Sequence, residues 1–167
     1  MGRALKMTPE NPPEYGMRGH RVPGLAPEYI HQVTVKVRDV LGLRKRSFQG
    51  DNPEKLVSTL EHFGINIDVI DDAEWIDATK ATVDPQKGMI YVPEKLYGEI
   101  CRGKPEAIRI LLHEIGHIVL GHKPMLHFST SRPIENEDSE WQADFFADTM
   151  IALLKLPKPA AQMELKF

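Results

Sequence analysis

The sequence predicts an α+β domain, a small mixed or antiparallel sheet of about three strands packed with helices. Three observations carry this. Apolar residues recur at spacings of three and four over 26–43, residues 65–70 alternate ahead of a hairpin signature, and the stretch 105–121 carries start and stop signals for a long helix.

The elements follow in order. Residues 1–25 hold Pro9, Pro12, Pro13 and Pro23, four glycines and only scattered apolar side chains. That composition cannot bury enough surface to offset the entropy of ordering, so a flexible arm is expected. In "APEYIHQVTVKVRDVLGL", Ile30, Val33, Val37, Val40 and Leu41 fall on one helical stripe, with Pro27 near the start and Gly42 at the end. In "NPEKLVSTLEHFG", Asn52 caps, Pro53 takes the first helical position and Gly64 terminates a second helix. "INIDVI" alternates Ile65, Ile67 and Val69 against Asn66 and Asp68, the period of a strand with one buried face. "ATKATV", the turn "DPQKG" and "MIYV" then read as a hairpin. The main domain spans 26–157, and 158–167 is a short tail.

Charge and composition narrow the function. With 41% hydrophobic and 27% charged residues, a chain of 167 can form one domain with its own core. A net charge of −3 offers no basic field for nucleic acid or anionic membranes, so a protein or small-molecule partner is expected and direct nucleic-acid binding is not. No apolar run approaches the roughly 18 residues of a membrane span. The single Cys101 and the absence of an apolar stretch in "MGRALKMTPENPP" point to a reducing cytoplasm.

The chemistry concentrates in "KPEAIRILLHEIGHIVLGHK". Pro105 and Glu106 open a helix, Gly121 ends it, and Ile108, Leu111, Leu112, Ile115 and Val119 form its core stripe. His113, Glu114 and His117 lie to one side of that stripe. Residues four apart on a helix have Cβ atoms about 6 Å apart, so both imidazoles can reach one zinc ion. Glu114, beside them, has the place of a general base that takes a proton from water and returns it to a leaving amine. A buried helix that merely carries polar residues is the competing reading. A metal site would also need a third protein ligand.

That ligand is expected from "IENEDSEWQADFFADTMIALLKLP", read as a long helix with Trp141, Phe145, Thr149, Ala152 and Leu156 on one side and Glu140, Asp144, Ala147 and Ile151 on another. Ala143 and Ala147 would let this helix pass close to Gly116. Glu140 is then the third ligand, Glu137 its substitute one turn earlier, and Asp144 an acceptor for a ligand N–H.

Together, His113-Glu114-Ile115-Gly116-His117 and Glu140-Trp141-Gln142-Ala143-Asp144-Phe145-Phe146-Ala147 resemble the two motifs of the ImmA/IrrE family of zinc metallopeptidases, a resemblance covering about residues 26–157. It implies a zincin-like fold, with the metal between the HExxH helix and a C-terminal helix. It implies zinc held by His113, His117 and Glu140, with Glu114 as catalytic base. It also implies proteolysis of a helix-turn-helix transcriptional repressor in a mobile-element or stress-response setting. The alternative is a non-catalytic regulator that binds protein through the same cleft and uses zinc structurally, with His122 as a closing fourth ligand.

Further candidates remain. His122, His127, Tyr91, Tyr97 and Arg132 are possible donors to a substrate oxyanion. Strand "GMIYV" offers an edge for an extended peptide, and the acidic "DDAEWID" is chiefly a solvated turn. The arm could lie over the cleft with Met17 or His20 near the ion.

Overall fold

A computed structural model of the chain describes residues 14–50, 52–76, 78–123 and 131–160. The architecture is mixed α+β: α1 (Pro27–Leu41), α2 (Lys45–Gln49), α3 (Pro53–His62), β1 (Asn66–Ile70), β2 (Thr82–Asp84), β3 (Met89–Pro93), α4 (Glu94–Cys101), α5 (Pro105–Val119), a 3-10 turn (Glu135–Glu137) and α6 (Ser139–Leu154). Among the described residues, no helix is long and apolar enough to cross a membrane.

The strands form one mixed sheet in the order β1-β3-β2, with β1 parallel and β2 antiparallel to β3. The expected hairpin is present, Val83 pairing with Ile90. Strand β3 is central, however, with Ile90 and Val92 fully buried and both edges taken. The free edge expected at "GMIYV" therefore does not exist there; the outer strands are β1 and β2. Val69 on β1, expected inside, is partly exposed because β1 is an outer strand.

Helix α1 ends at Gly42, whose φ of +63° is a left-handed cap that a side chain would strain. Its buried face is Ile30, Thr34 and Leu41, whereas Val40 is 56% exposed. Burial of Thr34 is possible because its hydroxyl donates to the carbonyl of Ile30, one turn back, at 2.7 Å. Helix α3 follows the predicted punctuation, Asn52 accepting from the backbone N–H of Lys55.

Helices α5 and α6 carry the centre of the molecule. Ile108, Leu111, Leu112 and Ile115 are all at most 2% exposed, each worth about 1.5–3 kcal/mol of apolar transfer. Against them pack Phe146, Ala147, Met150, Ile151 and Leu154 of α6, joined by Leu60, Ile90 and Val92. The buried stripe of α6 is thus Gln142, Phe146, Met150 and their neighbours; Trp141 and Phe145 are only partly covered, and Ala152 is exposed. Gly116 makes the approach possible. A Cβ there would meet Phe146 Cδ1 at 3.1 Å and the Cα and carbonyl oxygen of Ala143 at 3.3 Å.

Residues 14–25 depart from the expected loose arm. They run antiparallel to the segment before α6, with a bridge between Arg21 and Asp138. Backbone bonds link Val22 to Glu137, Leu25 to Asn136 and Ser139 to His20. Polar bonds rather than apolar burial hold this segment, although Val22 is also buried. Residues 1–13 and 161–167 lie outside the described residues.

Candidate metal centre

The close pass of α5 and α6 brings three ligand atoms together. His113 and His117, one turn apart on α5, present Nε2 atoms 3.1 Å apart. Across from them, Glu140 in the first turn of α6 places Oε2 at 2.8 Å from His113 Nε2 and Oε1 at 3.3 Å from His117 Nε2. A tetrahedron built on bonds of about 2.0–2.1 Å has edges of about 3.3–3.4 Å, so this triangle fits one zinc-sized ion after a slight expansion. All three ligand atoms lie within 4.8 Å of one another, a group able to hold a metal ion. Glu140 is turned toward the imidazoles, as the sequence predicted.

Glu137 is not a ligand. Its carboxylate accepts from Arg21 at 2.9 Å and from the backbone N–H of Ile134 at 3.2 Å. Glu114 is buried, with burial pushing its carboxyl above the usual carboxylate range; the nearby His113 and His117 pull it back and Glu140 pushes it further. It stands beside the triad, within electrostatic reach of all three members, and can alternate between accepting and donating a proton.

Behind each imidazole stands a partner on its other nitrogen. His113 Nδ1 donates to Asp144 Oδ1 at 2.8 Å, as expected. Asp144 is in turn held by Arg18 at 2.9 Å and Arg109 at 3.3 Å. Burial opposes its ionisation, but the bond to His113 and the guanidiniums outweigh this and keep it below the usual range. Burial likewise opposes charge on His113, yet Asp144 and Glu140 overcome it and lift His113 to about 9. The bonds from His113 and His117 hold Glu140 well below the carboxylate range.

His117 Nδ1 meets His122 Nδ1 at 2.8 Å, and His122 Nε2 meets Gln142 Oε1 at 2.7 Å. The backbone explains the return of His122. Gly121 adopts φ +65° after the C-cap Leu120; its N–H donates to Ile118 and that of His122 donates to His117. This Schellman turn normally closes with an apolar contact between the positions that His117 and His122 occupy. Here two imidazoles fill them, edge to face with ring centroids 5.0 Å apart. His122 is 5% exposed, and burial lowers it to about 4, so it is neutral near pH 7. With both nitrogens engaged it is neither a fourth ligand nor a loop donor.

The remaining candidates make contacts of their own, and none belongs to the group of His113, His117 and Glu140. Tyr91 lines a surface groove with Trp75 and Ile76, Tyr97 packs on the core beside Cys101, and Arg132 pairs with Glu14 at 3.0 Å. His127 lies outside the described residues. Met17 and His20 belong to the segment along the start of α6, where the backbone N–H of His20 donates to Ser139 Oγ at 3.0 Å. The contribution of that segment is Arg18, bound to Asp144, and a set of donors from Tyr15, Arg18 and Gly19 to the buried Asp138, which caps α6.

Sequence reading missed Arg18, Arg109 and the His122–Gln142 pair. Two signals pointed to the last: a glycine followed by histidine at the helix end, and a glutamine in the stripe that continues as Phe146 and Met150. No protein-family model, curated protein or solved structure matches this chain.

Proposed function

We propose that this protein is a zinc-dependent endopeptidase of the ImmA/IrrE type, with a zincin-like fold, acting in the cytoplasm on a helix-turn-helix repressor. One observation carries the enzymatic reading: two imidazole nitrogens and a carboxylate from separate helices converge to within 4.8 Å, with the buried carboxyl of Glu114 beside them. The donor set of two histidines and a glutamate is that of catalytic zinc, which keeps an open position. Among the described residues no fourth protein ligand faces the triad, and the orientation of His122 toward His117 and Gln142 favours an open position over a closed structural site. The substrate class rests on the motif resemblance alone.

His113, His117 and Glu140 would hold the zinc, which when bound would supply Lewis acidity toward a carbonyl and a water. Asp144 and His122 hold the two rings in place. Glu114 takes the proton of the attacking water at a carboxylate oxygen and delivers it to the departing amine nitrogen. Its raised proton affinity suits both halves of that exchange. Glu114→Gln should retain stoichiometric zinc and lose cleavage of repressors encoded at the same locus, the chelated protein serving as reference. Turnover at the unmodified rate in this variant would remove Glu114 from the mechanism.

A further inference from the structure

We infer that Gln142 and His122 are positioning residues that set the protonation pattern of His117, so that its Nε2 faces the metal site as a lone pair. This deepens the zinc reading and rests on it for its purpose, but the inference itself comes from a chain of hydrogen bonds whose direction can be worked out. It starts at the backbone. Gln142 Nε2 lies 3.0 Å from the carbonyl oxygen of Pro23 and 2.7 Å from that of Asn136. Carbonyl oxygens only accept, so this end of the side chain is the amide NH2, and both of its hydrogens are used. The other end is therefore Oε1, which can only accept, and its neighbour is His122 Nε2 at 2.7 Å.

His122 must then carry hydrogen on Nε2. Its bonded neighbours are an amide and a second imidazole, among the described residues no carboxylate is bonded to it, and it is buried. The neutral ring is the form such a place favours, which leaves Nδ1 as an acceptor. The atom facing it at 2.8 Å is His117 Nδ1, which must be the donor. In the neutral ring that holds a metal, Nε2 of His117 is then the unprotonated nitrogen, directed at Glu140 and His113. The two ligand histidines are thus oriented by different means. His113 leans on an anion, Asp144, while His117 leans on a neutral relay whose polarity is set by two backbone carbonyls, one from the segment 14–25 and one from the turn before α6.

The test is imidazole-nitrogen NMR of the isotope-labelled full chain, metal-free and zinc-loaded, at neutral pH. The expected result is His122 as the neutral Nε2–H tautomer in both forms, with His117 carrying hydrogen on Nδ1 when zinc is bound. His122 found as the Nδ1–H tautomer, or as imidazolium, overturns the assignment. A second arm uses His122→Phe, which keeps ring volume and removes the acceptor. Zinc affinity, measured by competition with a chelator, should fall about 10–100-fold with helix content unchanged, the usual effect of losing a partner of a ligand histidine. Unmodified affinity in a folded His122→Phe protein also overturns it. Should that variant not fold, the spectrum of the unmodified protein decides alone. A protein that binds no zinc would defeat the peptidase reading, yet the metal-free spectrum would still test the relay.

Discussion

Zinc binding should be coupled to the loss of one proton, and the source of that proton is His113. In the metal-free site Asp144 and Glu140 overcome the burial of His113 and raise it from 6.5 to about 9, so the ring is an imidazolium at neutral pH. A metal takes only the unprotonated nitrogen. Displacing a proton some two units below its pKa costs about 3 kcal/mol at 1.36 kcal/mol per unit, or about a hundredfold in affinity near pH 7. Glu140 adds nothing to this cost, since its partners hold it well below the usual range and it is already ionised. Apparent zinc affinity should therefore rise about tenfold per unit from about pH 7 to about 8.5 and level off above about 9. Chelator competition across that interval, corrected for chelator protonation, measures the slope. Calorimetry in buffers of different ionisation enthalpy counts the protons, with about one released near pH 7. A flat affinity with no proton release would refute the account of His113.

Other perturbations have equally definite outcomes. Asp144→Asn should lower the number of protons released at neutral pH and weaken zinc binding about 10–100-fold, read in the same calorimeter. Glu140→Gln should abolish stoichiometric zinc by metal analysis, whereas Glu137→Gln should retain it and lose stability, because Glu137 pairs with the buried Arg21. Gly116→Val drives methyl groups into Ala143 and Phe146 and should cost about 1–3 kcal/mol in denaturant unfolding, with weaker zinc binding as the helices part. In the metal-free protein, His113 with its raised value stabilises the fold below its ordinary 6.5, and that contribution is lost as pH rises through about 9. His122 acts in the opposite direction: lowered to about 4, it contributes above its ordinary 6.5, and the contribution is lost as pH falls toward 4. Thermal melts with and without chelator should show both limbs, and His122→Phe should lack the acid one.

What could be read from the chain followed its strongest local signals. Pro105, Glu106 and Gly121 bounded α5, and the spacing of His113, Glu114 and His117 placed all three beside the core stripe. Glu140 was legible because Ala143 and Gly116 both lack bulk, and that permits two helices to share an ion. Apolar periodicity misplaced Val40 and passed over Thr34, since a hydroxyl bonded one turn back is buried without apolar character. Helices α2 and α4 are too short for periodicity to stand out. The α6 stripe was misjudged because one of its buried members is Gln142, polar yet fully bonded. Composition was blind to residues 14–25 for a related reason: hydrogen bonds to Asp138, Ser139 and Glu137 tie them down more than greasy contact does.

The intimacy of Gly116 with Ala143 also bears on how such a protein can diverge. The ligands are borne by two rods whose backbones nearly touch, so the connection between residues 123 and 131 does not set their spacing. Lengthening or rewriting that stretch should leave the grip on an ion intact. A bulkier residue at position 116, a single substitution, would do the reverse.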